Sequence, residues 1–271
     1  MTRVETYLLS GERHIAGWLS PYTAEFISAL GAVQRDLGIS GSVGEIGVHH
    51  GKLFVLLCLM LVPEEHAFAI DIFENQELNT DGSGSGDLTI LKRNLSLWCP
   101  DLVNNIYIIS KSSLDVTPDE VQRVCEPARL ISVDGGHTAE CVYNDLRLSQ
   151  AVMGPGCVVA LDDFFNEDWP DVSTGATRFL LEPGTRLRPF AVTPNKVFLT
   201  DPGVADAYRN RVREHYGFRA FKTSRMFGYD VDVFHGYPPA PPLPLYMRER
   251  LRASRIGPSL LRLKRFVTTL R

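Results

Sequence analysis

Apolar residues change their spacing several times along the chain, and each change marks a different kind of element. After Ser20-Pro21, the residues Phe26, Ile27, Leu30, Val33 and Leu37 recur at helical intervals, and Gly38 follows. The spacing predicts a helix capped by Ser20, opened by Pro21 and stopped at Gly38. Lys52 to Leu61 is apolar at nearly every position, which predicts a helix buried on all sides and ended by Pro63. Short apolar runs recur at Val43–Ile46, Ala67–Ile70, Ile106–Ile109, Leu130–Val133 and Cys157–Leu161. Runs this short, separated by helical or loop segments, predict an α/β fold with a mostly parallel sheet and helices on both faces. Pro189–Thr193 and Lys196–Thr200 flank Pro194-Asn195, the pattern of an antiparallel hairpin at the sheet edge. Arg225–Gly236 reads as an extra strand pair with no evident place in that sheet.

This pattern divides the chain into four segments. Residues 1–40 form a helical N-terminal segment, and 41–203 the α/β core. Residues 204–246 form a C-terminal extension with extra strands, and 247–271 a basic tail. Two stretches are of low complexity. Gly82–Gly86 suggests a mobile loop, and the proline-rich Tyr237–Pro244 a linker to the tail.

Charge and cysteine content narrow the class. The 271 residues carry a net charge of −4, yet Arg248–Arg271 holds seven arginines, one lysine and a single glutamate. An acidic body argues against nucleic-acid binding. The basic tail suits a solvated helix, a peripheral contact with anionic lipid or a clamp on an anionic substrate. No apolar run approaches the length of a membrane span, and the first residues lack the apolar core of a secretory leader. Five cysteines without a Cys-x-x-Cys pair imply reduced, mostly buried thiols and a cytoplasmic setting.

Two stretches carry candidate chemistry. Glu45 to Gly51, EIGVHHG, lies between a predicted strand and a predicted helix. Its glycines allow close approach of backbone to a ligand at the carboxyl edge of a parallel sheet. The spacing is Glu-x-Gly-x-x-x-Gly, which does not write a pyrophosphate cradle and counts against NAD or FAD. Asp71 ends the next strand, where an acid suits ribose hydroxyls. The second stretch joins the ends of two later strands: Asp134 follows one, and Asp162-Asp163 ends the other. Adjacent strands lie about 4.8 Å apart, so neighbouring strand ends bring three carboxylates together. Their mutual repulsion calls for a compensating cation, and a hard divalent ion with oxygen ligands, Mg²⁺ or Mn²⁺, meets that need. His137 follows Asp134 across Gly135-Gly136, placing a base beside the acids.

Glu45–Gly51 with Asp71 resembles motif I and the ribose-binding acid of class I S-adenosylmethionine-dependent methyltransferases. VDGGHTAECVYNDL (Val133–Leu146) and GPGCVVALDDFFNEDWPDV (Gly154–Val172) resemble the metal-dependent branch that includes cephamycin-biosynthesis and macrolide-sugar O-methyltransferases. The resemblance runs from about Gly41 to Thr200 and implies a Rossmann-like methyltransferase sheet. It also implies that Glu45 meets the amino-acid end of the cofactor, indirectly or through water. Gly47 and Gly51 would shape the loop beside the methionine part, and Asp71 would take the ribose diol. Ser113 becomes a candidate for the adenine region, where many relatives carry an acid at the position of Ser112. Asp134, Asp162 and Asp163 become the magnesium ligands, Asp162 standing where relatives often have Glu. His137 becomes the general base.

The chemistry implied is methyl transfer from S-adenosylmethionine to a hydroxyl of a saccharide or sugar-bearing metabolite. A divalent ion can chelate two neighbouring hydroxyls and lower the pKa of one. A neutral imidazole can then take its proton. His49 and His50 are alternative bases or substrate contacts, and Asn166, Asp168 and Trp169 are candidates for the floor of a sugar site. Two other readings remain open at this level. One is a catechol or phenolic acceptor with the same metal chemistry. The other is a non-catalytic cofactor-binding partner protein. The segment from Val204 onward is long enough to build a homo-oligomer interface.

Overall fold

The computed structural model describes residues 2–216 and 221–235. The basic tail and the proline-rich linker lie outside the described residues, as does Gly236 of the expected strand pair. Helix α1 (Arg3–Leu9) leads through a short 3₁₀ turn to α2 (Pro21–Asp36). Pro21 opens α2 as its sequence predicts, but Ser20 contributes its carbonyl to Ala24 N–H at 2.9 Å and no side-chain cap. The strands and helices that follow alternate. They are β1 (Ser42–Ile46), α3 (Lys52–Leu59), β2 (Ala67–Asp71), α4 (Leu88–Trp98), β3 (Ile106–Ser110), α5 (Pro118–Gln122), β4 (Ala128–Val133), α6 (Ala139–Val152), β5 (Met153–Asp162) and α7 (Pro170–Leu181).

Among the described residues, nine strands form one sheet in the order β3-β2-β1-β4-β5-β7-β6-β9-β8. The first five are parallel. The predicted hairpin is β6 (Arg188–Thr193) and β7 (Lys196–Thr200), and β7 lies antiparallel between β5 and β6. Beyond it, helix α8 (Pro202–Tyr216) is followed by β8 (Phe221–Met226) and β9 (Tyr229–Phe234). Strand β9 pairs parallel with β6, and β8 forms the outer strand on that side. The extra strand pair therefore extends the sheet past the hairpin. Asp232 anchors it from a buried position, accepting hydrogen bonds from Arg213 Nε and Nη2, both at 2.7 Å, and Thr223 Oγ1 at 2.9 Å.

The inner strands are mostly apolar on both faces because both are covered. Along β2, Ala67 and Ala69 join one core with α2, α3 and α8, while Phe68 and Ile70 join the other with α6 and α7. This is the two-residue alternation of a strand between two helical layers. All five cysteines are buried and unpaired. Among the described residues, no helix is long and apolar enough to cross a membrane.

Candidate active site

The register of the sheet places the site. Val133 on β4 pairs with Ile46 on β1 and with Leu161 on β5, and Asp162 pairs with Lys196 on β7. The carboxyl ends of β1, β4 and β5 therefore finish side by side, and Glu45, Asp134, Asp162 and Asp163 meet there. They border a cavity of about 510 Å³, together with Asp71 and His137. That volume suits a small molecule.

At the cofactor-like end, Gly47 sits at φ +81°, and a Cβ there would lie 1.7 Å from the carbonyl oxygen of Asp134. Glycine is required because the loop after β1 crosses the end of β4 in contact with its backbone. Gly51, at φ +85°, precedes α3 at a point where a Cβ would meet Leu91 at 2.5 Å. Asp71 holds this loop in shape. Its Oδ2 accepts from the N–H groups of Val48 and His49, and its Oδ1 from that of Phe73, each at 2.7 Å. A carboxylate has about four acceptor positions, so Asp71 is first a loop anchor and has about one left for a ribose.

Glu45 is different. Its side chain borders the cavity, and its buried Oε2 has no hydrogen-bond partner. Burial pushes its pKa well up, against the pull of Lys196. A buried acceptor without a donor costs roughly 1–3 kcal/mol, and an ammonium group entering the cavity would satisfy it. The residues therefore fit S-adenosylmethionine at this end. Ser113 borders the same cavity, its carbonyl accepting from Asn144 Nδ2 at 3.0 Å. His49 and His50 stack on each other, ring centroids 3.8 Å apart.

At the acidic end, the structure supplies a cation that the motif reading left out. Lys196 Nζ is buried, 2.6 Å from Asp162 Oδ2 and 3.7 Å from Asp134 Oδ2. Asp162 Oδ1 accepts from Asn195 Nδ2 at 2.8 Å and from the Asp163 N–H at 3.1 Å. Both oxygens of Asp162 thus have protein donors, as do those of Asp163, but of the two only Asp162 is paired with the lysine. Three acids at this edge therefore do not by themselves demand a metal, because Lys196 balances one of the charges. Two remain. Asp134, His137 and Asp163 each offer a donor atom, all within 4.8 Å of one another. That set fits a divalent ion with Asp134 and Asp163 as oxygen ligands, whereas Asp162 faces the lysine.

His137 bridges two carboxylates. Its Nδ1 lies 3.0 Å from Asp81 Oδ2 and its Nε2 3.1 Å from Asp163 Oδ2. Burial opposes a charged ring here, but the hydrogen bonds of Asp163 and Asp81 prevail and raise its pKa. Burial likewise opposes ionisation of Asp163, yet hydrogen bonds from His137, Asn166 and Asn195 bring its pKa down to about 2. Asp163 also holds a left-handed backbone, φ +58°, with its N–H donated to Asn195 O at 2.9 Å. Such a conformation persists where its surroundings over-determine it. Trp169 stacks on the His137 ring, centroids 4.3 Å apart and planes 18° from parallel. Asn166 Nδ2 donates to Asp163 Oδ1 at 2.7 Å, and Asp168 lines the cavity.

Lys196, Asn195 and Asp81 were missed in the sequence. For Lys196 a signal existed: a charged residue beginning an otherwise apolar run beside the acid-bearing strand. Asp81 lies in a loop with no local signal.

Residues 45–164 match the family model described as a methyltransferase domain. A search of curated proteins finds no match. Among solved structures, the O-methyltransferase NovP is similar at TM-score 0.54 and 15% identity, over 65% of this chain and 78% of that one. An O-methyltransferase from Bacillus cereus in complex with SAH is similar at TM-score 0.50 and 17% identity, over 73% and 89%. Cofactor-bound Rv0187 from MTB is similar at TM-score 0.50 and 14% identity, over 73% and 88%. At these identities the structures speak for the fold, which is that of the predicted sheet. By the family match the chain carries a methyltransferase domain over residues 45–164, on a Rossmann-like sheet with a pocket at its carboxyl edge.

Proposed function

We propose that the chain is an O-methyltransferase acting on one hydroxyl of a vicinal diol in a saccharide or sugar-bearing metabolite, with a divalent ion at Asp134 and Asp163 and His137 as general base. The observation that carries this reading is the placement of His137. Its ring lies against Asp163 and beneath Trp169, on the same cavity as Glu45 and Asp71. Two structurally similar proteins are themselves O-methyltransferases, which supports oxygen as the acceptor atom.

S-adenosylmethionine supplies an electrophilic methyl group, and a bound Mg²⁺ or Mn²⁺ would supply Lewis acidity for the acceptor hydroxyl. The protein does the rest. Glu45 would receive the cofactor ammonium, Gly47 and Gly51 admit the loop close to it, and Asp71 keeps that loop in place. Ser113 borders the region left for adenine. Asp134 and Asp163 would hold the cation, while Lys196 keeps Asp162 paired. Trp169 gives the base a flat apolar wall, and a sugar ring suits such a surface.

Labelled methyl transfer to glycosides and to catechols, each with Mg²⁺ and with EDTA, tests the proposal. Metal-dependent transfer to glycosides is expected. Transfer to catechols alone would move the acceptor to phenols, and full activity in EDTA would remove the metal. A second reading follows from the closeness of the three donor atoms: His137 is itself a metal ligand. In Mn²⁺-loaded protein, ¹⁴N hyperfine coupling that disappears in His137→Gln supports ligation, and its absence supports the base.

A further inference from the structure

We infer that Asp81 is the positioning residue for His137, so that the loop over the cofactor pocket also aims the base. This rests on the reading of His137 as the base. Asp81 lies in the connection between β2 and α4, 56 residues before His137 in the chain. Its Oδ2 accepts from the main-chain N–H of His137 at 2.6 Å and faces the ring Nδ1 at 3.0 Å. One oxygen thus grips both the backbone and the ring. Asp81 Oδ1 is held by Ser83, whose N–H donates at 2.8 Å and whose Oγ donates at 2.5 Å. Asn79 staples the same loop, donating from Nδ2 to Gln76 Oε1 at 2.9 Å and to Ser83 O at 2.8 Å. Its Oδ1 accepts from Gly82 N–H at 3.0 Å. The carboxylate is therefore presented by a preformed turn, and its side chain is only 9% exposed.

The same loop borders the cofactor space. Thr80, Ser83, Gly84 and Ser85 line the cavity alongside His137 and Glu45. The loop that borders the cofactor space is thus the same element that orients the ring. The contact between Nε2 and the Asp163 carboxylate needs a proton on Nε2, so the ring acts as a base only when Asp163 Oδ2 is given over to a bound cation; with Nδ1–H kept on Asp81, the freed lone pair then lies on Nε2, toward the acceptor. Stacking on Trp169 restricts rotation of the ring about that arrangement. In the transfer, an acceptor oxygen lone pair forms the bond to the methyl carbon. The carbon–sulfur bond breaks with its electrons going to sulfur, and the hydroxyl proton goes to Nε2. Asp81 keeps its contact with Nδ1–H and takes no proton.

The test compares Asp81→Ala, Asp81→Asn, His137→Ala and the double variant Asp81→Ala/His137→Ala in the full chain. Asparagine keeps an oxygen that can accept from both His137 groups, and alanine does not. Asp81→Ala is expected to lower kcat about 10- to 100-fold. Its KM for the acceptor and its Kd for SAH should stay within about threefold of wild type. Asp81→Asn is expected to recover most of kcat. The double variant should be no slower than His137→Ala, because the two residues act as a unit. In ¹H–¹⁵N spectra of SAH-bound protein, an exchange-protected Nδ1–H signal of His137 is expected in wild type and Asp81→Asn and not in Asp81→Ala. Wild-type kcat in Asp81→Ala, or additive losses in the double variant, overturns the positioning role and leaves the base standing. Wild-type kcat in His137→Ala overturns the base and this inference with it.

Discussion

Lys196 Nζ lies 2.6 Å from Asp162 Oδ2, across a directly opposed pair of residues on β5 and β7. The lysine is fully enclosed, and the carboxylates of Asp162 and Asp134 raise its pKa against the opposing effect of burial. One amino acid on an antiparallel strand thus sets the charge of the whole acidic end.

Removing that cation alone leaves buried carboxylates uncompensated. Lys196→Met is expected to cost about 3–5 kcal/mol of stability, the range for breaking a buried pair from one side. Lys196→Met/Asp162→Asn should regain part of that loss. Urea unfolding of the two variants beside wild type decides it; a double variant as unstable as the single one would show that the pair is not what Lys196 stabilises.

Glu45 meets its raised pKa in a pocket where its Oε2 has no donor. A neutral carboxyl must ionise to pair with an incoming ammonium, so S-adenosylmethionine binding should release protons and tighten as pH rises through the raised pKa. Calorimetry in buffers of different ionisation enthalpy measures that release. In Glu45→Gln the release should vanish and affinity fall about 10- to 100-fold, as for a lost hydrogen bond to a charged group.

His137→Ala should separate binding from chemistry. Loss of general-base catalysis is expected to cost about 10²- to 10⁴-fold in kcat, while SAH affinity stays near wild type, since the cofactor contacts assigned above lie on Glu45 and the loop after β1. Single-turnover kinetics and calorimetry together read both quantities.

Asp145 on α6 is completely buried, and burial lifts its carboxyl pKa to about 7 against the pull of Ser113 and Asn144. The unfolded chain ionises this group near pH 4. Between those values the unfolded state has lost the proton and the folded state keeps it. The Asp145 contribution therefore falls as pH rises from about 4 to about 7, then levels off. Asp145→Asn should remove that slope, with a gain at pH 8 of up to about 4 kcal/mol. Thermal unfolding at pH 5 and pH 8 measures it, and an equal change at both pH values would exclude Asp145 as the titrating group.

How far the sequence reached depends on the kind of residue. The β1, β4 and β5 strands were legible as short apolar runs, because strands buried on both faces admit little else. Glu45, Asp71, Asp134 and Asp162-Asp163 were legible because acids at the ends of such strands are conspicuous. Gly47 was legible too, although the structure shows it meeting the Asp134 carbonyl. The β8–β9 pair was visible as strands but not as the continuation of the sheet beyond β6, since only two register pairs, Ala191 with Asp232 and Val192 with Val233, connect it.

Local pattern alone determined that this chain builds a covered parallel sheet, with acids and a histidine gathered at its carboxyl edge. Periodicity and strand-end chemistry are properties of neighbours in the chain. Tertiary structure decided the pairing of those charges. Asp162 turns to Lys196, 34 residues away, and His137 to Asp81, 56 residues away. Partners separated by that much chain are set by sheet register and loop closure, and short-range charge interactions then fix which acid is compensated and which remains open to a ligand.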